Sequence, residues 1–140
     1  MSSKKSKKIS KTDEEAKELI IETLEEEETG GFDVDSIYHM PNGDWIVIEF
    51  LKCDTVKPSN SHPNRYWFKN KQKFISLWEL TQELNGKLFL INYEDSREEF
   101  KKIYVKEIDL DEGITDEEID EMDFEEFKEW FKELNSKTLQ

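Results

Sequence analysis

Two short segments carry the residues best suited to chemistry: Asp33-Val34-Asp35, and Ile48-Glu49-Phe50-Leu51-Lys52. Between them, Met40-Pro41-Asn42-Gly43-Asp44 reads as a tight turn. Proline suits the second position of a type I turn, and glycine tolerates the left-handed conformation that follows it. A three-residue loop of this kind pairs Met40 with Asp44. Counting back along both strands sets Ile37 opposite Val47, Asp35 opposite Glu49 and Asp33 opposite Leu51, because directly opposed residues share a face. Two carboxylates side by side are unfavourable unless a cation, a hydrogen-bond network or water offsets them. Oxygen ligands of this type suit Mg2+ or Mn2+ better than zinc, which makes Asp35 and Glu49 the expected metal ligands. The plainer alternative is an acidic, solvated end of a hairpin in a chain where 34 of 140 residues are Asp or Glu. A slip of one residue would send the two side chains to opposite faces.

The distribution of charge matters more than the formal net charge of −14. Residues 1–11 hold five lysines and no acid, a composition expected of a disordered basic tail. Residues 107–126 hold twelve acids and no Lys or Arg, a surface that repels a phosphate backbone. Between these extremes His62, Arg65, Lys69, Lys71 and Lys73 interleave with Tyr66, Trp67, Phe68 and Phe74. This pattern is compatible with nucleic-acid contact through Arg65, Lys69, Lys71 and Lys73, and equally with ordinary loop and helix packing. His62 has the chemistry for proton transfer or phosphate binding, although a lone histidine beside proline is more often structural. A single cysteine, Cys53, excludes an intramolecular disulfide and a thiolate zinc cluster. With no apolar run near the roughly 20 residues of a membrane span, the expectation is a soluble cytoplasmic protein.

The elements that must position these residues follow from periodicity. A first helix is expected over 13–27, capped by Thr12 with Glu15 and carrying Ala16, Leu19, Ile20 and Leu24 at helical spacing. Strands follow at about 33–40 and 44–52, the second apolar on both faces and therefore interior. Breakers mark 53–66 as a loop, and a long helix over 70–85 ends at Asn85-Gly86. Strands at 87–93 and 102–108 complete an order αββαββ. Thr115 with Glu118 and Asp123 with Glu126 each match a capping box, which predicts acidic C-terminal helices from about 115 in one α/β domain spanning 12–140.

The succession helix, two strands, long helix, strand, with Asp on the first strand and Glu followed by Lys on the second, resembles the PD-(D/E)xK nuclease superfamily over about residues 13–108. The resemblance implies an α/β, restriction-endonuclease-like αβββαβ-type core with a mixed central sheet and added C-terminal helices. It implies a nuclease that hydrolyses nucleic-acid phosphodiesters, DNA more commonly than RNA, with Mg2+ or Mn2+ held by Asp35 and Glu49. Asp35, Glu49 and Lys52 then take the catalytic positions. Two residues depart from the pattern: Leu51 stands where the lysine belongs, and Val34 where a proline precedes the aspartate. A bulge after Glu49 would turn Lys52 inward; otherwise Lys71 or Lys73 from the long helix would supply the charge. The rival expectation is a catalytically inactive nuclease-like domain that binds a protein partner or acts as an acidic regulatory module. The oligomeric state is left open, a dimer included.

Overall fold

The computed structural model describes residues 14–140, so the basic segment 1–11 and the expected Thr12 cap lie outside the described residues. The elements are α1 (Glu15–Leu24), β1 (Ser36–His39), β2 (Trp45–Lys52), α2 (Trp67–Glu83), β3 (Lys87–Tyr93), β4 (Phe100–Asp109), β5 (Gly113–Met122) and α3 (Phe124–Thr138). One five-stranded mixed sheet has the order β1-β2-β3-β4-β5. Only the β2–β3 pair is parallel, as a pair joined through a crossover helix must be. Two strands precede the long helix, one fewer than the αβββαβ order implies, because residues 25–35 form turns and irregular chain instead of a strand.

The alternation of side chains along β2 builds two cores. Val47 joins Trp67, Phe74, Leu77, Leu88 and Leu90 between the sheet and α2. Ile46 and Ile48 join Ile91, Phe100 and Leu134 on the other face, beneath the aromatic stripe of α3 formed by Phe127, Trp130 and Phe131. The period of two in the strand and the apolar stripe on each helix thus produce a helix, sheet, helix sandwich. The turn after α2 lies hard against β2: a Cβ on Gly86 would meet the Trp45 carbonyl oxygen at 2.5 Å.

The β1–β2 turn has the expected geometry. Met40 N–H donates to the Asp44 carbonyl at 2.7 Å, Gly43 N–H to the Met40 carbonyl at 2.9 Å, and Gly43 has φ +97°. Ile37 pairs with Val47 and Ser36 with Ile48, the register counted from the turn.

The acidic C-terminal stretch corrects the sequence-based expectation. Residues 113–122 are the strand β5, and a single helix, α3, follows. The Asp109 carboxylate accepts from the amides of Asp111 and Glu112 at 2.9 Å each, and Gly113 at φ +96° turns the chain back along β4. β4 answers part of this charge: Lys102 pairs with Asp120, its ammonium 3.4 Å from that carboxylate, and the Lys106 ammonium lies 2.7 Å from Glu118. The Asp123 capping box does form, with Asp123 Oδ1 accepting from Glu126 N–H at 2.8 Å and Glu126 Oε1 accepting from Asp123 N–H at 3.1 Å.

Candidate active site

The hydrogen-bonded pairs of an antiparallel ladder alternate. Counted from Met40 and Asp44 they fall at Tyr38 with Ile46 and Ser36 with Ile48, so the next would join Val34 to Phe50. β1 starts at Ser36, however, and leaves the Phe50 amide without that strand partner. The Asp35 side chain replaces it: Oδ2 accepts from Phe50 N–H at 2.8 Å. A backbone donor that must be satisfied therefore fixes the first carboxylate against β2.

Glu49 occupies a position on the α2 face of β2 where its neighbours Val47 and Leu51 are apolar, and it is only 1% exposed. Its Oε2 receives the Lys73 ammonium at 2.5 Å. Its Oε1 is buried with no hydrogen-bond partner. Burial first, and then the Asp35 carboxyl within hydrogen-bonding reach, push the Glu49 carboxyl up to about 7, with Lys73 acting in the opposite direction.

Lys73 reaches the pair because of how α2 sits. Phe74 and Leu77 face the sheet and are buried, and Lys73 stands one residue before the first and one turn before the second. Its stem flanks the buried stripe while its side chain stays 42% exposed, so the lysine reaches solvent although the Glu49 carboxylate does not.

Lys52 is not brought to the carboxylates. β2 and β3 keep an unbroken register from Ile46–Lys87 to Lys52–Tyr93, with no bulge after Glu49. Lys52 accordingly points away, its ammonium 3.2 Å from Asp95 and 3.6 Å from Asp54. Asp33 lies off the ladder as well, paired with Lys17 of α1 at 3.0 Å.

The basic aromatic segment divides in two. Trp67 and Phe74 stack on each other at 5.7 Å inside the core, whereas Tyr66 and Phe68 are 49% and 80% exposed. Lys69 is exposed, Arg65 donates to the Asn60 carbonyl at 2.7 Å, and Lys71 lies 3.4 Å from Asp111. His62 is committed elsewhere. Its Nδ1 accepts from Asn64 N–H at 3.0 Å, which leaves the proton on Nε2 to be donated to Glu117 of β5 at 2.7 Å, at the far edge of the sheet.

Comparison of the chain with family models, characterised proteins and solved structures finds no match. The geometry alone carries the reading. Among the described residues no group of three or more His, Cys, Asp and Glu side chains is placed to hold a metal ion. The Asp35 and Glu49 oxygens fit a hard cation: Mg2+ keeps several waters and needs only one or two protein carboxylates beside substrate phosphate. The partnerless Oε1 of Glu49 is the donor such an ion would use. No helix among the described residues is long and apolar enough to cross a membrane.

The anchoring amide of Phe50 could not be read from residue types, since it depends on where β1 begins. Lys73 was one of three lysines the sequence put forward, and only the packing of α2 distinguishes it.

Proposed function

We propose that this chain is a Mg2+- or Mn2+-dependent nuclease that hydrolyses phosphodiester bonds, DNA favoured over RNA, on a divergent restriction-endonuclease-like PD-(D/E)xK core. The observation that carries the reading is the meeting of Asp35 from the segment before β1, Glu49 of β2 and Lys73 of α2 around a buried carboxylate oxygen that has no partner. Two antiparallel strands, a crossover helix and a parallel third strand support the family reading.

Asp35 and Glu49 would hold the ion, which when bound supplies a water of lowered pKa and neutralises charge on the phosphate. The remaining work falls to the chain. The Phe50 amide keeps Asp35 aimed at the site without cost in side-chain freedom at the moment of reaction. Lys73, already beside Glu49, presents a positive charge where negative charge grows on the phosphate oxygens. Exposed Tyr66, Phe68 and Lys69 at the start of α2 offer stacking and phosphate contacts for the polymer. The net reaction adds water across one P–O ester bond and leaves a phosphate monoester and a hydroxyl.

The test is cleavage of labelled DNA and RNA by wild type, Asp35→Ala, Glu49→Ala and Lys73→Ala in Mg2+ or Mn2+. Metal-dependent hydrolysis that is lost in the carboxylate variants supports the site. Hydrolysis that survives both overturns it. Leu51 in the usual lysine position favours the second reading, an inactive nuclease-like domain that binds a protein partner. Calorimetry with Mn2+ separates the two, because that reading requires no metal binding by Asp35 and Glu49.

A further inference from the structure

On the α3 side of the sheet, Asp35 borders an open surface cavity of about 490 Å³. Its walls are aromatic: Phe50, Tyr93, Phe100, Phe124 and Phe127, with Arg97 at the rim. The rings support one another. Phe100 and Phe127 stack at 4.4 Å, Phe100 and Phe124 at 5.9 Å, and Phe50 meets Tyr93 edge to face at 6.2 Å. Arg97 takes a left-handed backbone conformation at φ 61° and donates to the carbonyls of Glu94 and Asp95 at 3.3 and 2.9 Å. This sets its guanidinium 5.8 Å from the Tyr93 ring centre, within cation–π range of that ring.

Phe50 joins this cavity to the candidate active site. Its amide fixes Asp35 while its ring forms one wall, so an occupant of the cavity sits within a residue of the carboxylate. Charge narrows the choice of occupant. A chain of net charge −14 draws little affinity from phosphates, so a nucleic-acid substrate needs contacts that do not depend on its charge. Stacking of bases on aromatic rings is such a contact. A base inside an intact duplex is already stacked and paired, and cannot enter without being everted.

We infer that this aromatic cavity binds one unpaired nucleobase next to the cleaved phosphate, and that the substrate is nucleic acid with a single-stranded stretch at the cut site. The inference rests on the nuclease reading for the word substrate, and on the cavity alone for base binding. The strand lies with its phosphate toward Asp35, Glu49 and Lys73 and its base against Tyr93. Arg97 swings from the ring to a flanking phosphate.

Binding without metal tests it separately from catalysis. Fluorescein-labelled single strands, the same strands with one abasic position, and blunt duplexes are titrated in EDTA by anisotropy with wild type, Tyr93→Leu, Phe124→Leu and Tyr93→Phe, all checked by thermal melting. The expected result is a single strand bound at least about fivefold more tightly than the duplex, with a similar loss in Tyr93→Leu and Phe124→Leu and retention in Tyr93→Phe. A shallow salt dependence is expected for the same reason. Equal binding by wild type and either leucine variant, a preference for blunt duplex, or no binding of any oligonucleotide overturns the inference. Phe124 is 41% exposed at the start of α3, so its variant remains informative if Tyr93→Leu does not fold. Tyr93-dependent base binding with no cleavage by wild type in Mg2+ or Mn2+ leaves the cavity standing and removes the nuclease reading. Cleavage with unaltered binding in both leucine variants does the reverse.

Discussion

At one edge of the sheet, β5 carries Glu117, Glu118, Asp120 and Glu121, and at the other edge Asp35 and Glu49 meet beside β1. The residue types are alike and the surroundings are not. On β5, Glu118, Asp120 and Glu121 are exposed, with Lys106 of β4 at 2.7 Å from Glu118 and Lys102 at 3.4 Å from Asp120, while the half-buried Glu117 meets His62. Pairs of this exposed kind contribute little to stability, and here they also keep an edge strand from recruiting a second chain. Beside β1, Glu49 is sealed from water, shares its surroundings with a second carboxyl, and meets one lysine through only one of its two oxygens. An acid-rich sequence therefore says little about function until burial and partners are known. The partnerless buried acid, not the longest acidic run, is the one with chemistry left to do.

The sharpest way to break this comparison is to delete acids at both edges. Asp35→Ala or Glu49→Ala is expected to lower metal-dependent cleavage by about a hundredfold or more, since it removes a ligand of the ion. Asp120→Asn is expected to leave it unchanged. Equal losses at the two edges, measured as initial rates on the same substrate, would erase the distinction. Lys73→Met is expected to lower the rate by about a hundredfold through lost stabilisation of charge on the phosphate. Lys52→Met should leave the rate near wild type, because its ammonium serves Asp54 and Asp95.

A smaller effect concerns metal affinity. With the Glu49 carboxyl pushed up to about 7, Mn2+ must displace its proton, so affinity should rise roughly tenfold from pH 6 to pH 8. Isothermal titration in two buffers of different ionisation enthalpy would report the released proton, and a flat profile would contradict a buried Glu49 whose carboxyl is pushed up to about 7.

The same group shapes stability. Glu49 binds its proton more tightly folded than unfolded, so its contribution is present in full below its ordinary value of 4.5 and is lost as pH rises through about 7. Urea unfolding should therefore show a decline on the order of 3 kcal/mol across that window. Glu49→Gln should flatten it and be the more stable protein at pH 8. The smallest effect belongs to β5, where Asp120→Asn should change stability by roughly 0.5 kcal/mol or less.

The hairpin and its register were legible in five residues, Met40 to Asp44, because turn chemistry is local: a proline, an asparagine and a glycine in that order admit few loops. The interior strand β2, the extent of β3 and the cap of α3 were legible for the same reason, each depending on residues within a few positions of one another. Thr115 and Glu118 show the limit of that locality. They match a capping box, yet the stretch becomes a strand because β4 offers a backbone edge along its whole length, with Lys102 across from Asp120. The lysine of the site was decided in the same non-local way. Lys52 lies nearest to Glu49 in sequence, but the unbroken parallel register with β3 turns it outward. Lys73 lies twenty-four positions beyond Glu49 by numbering, and the burial of Phe74 and Leu77 beneath α2 delivers its ammonium to the carboxylate. Sequence sets the type and order of the groups available, whereas side-chain direction depends on the packing of elements far apart in the chain, and only the tertiary structure contains that information.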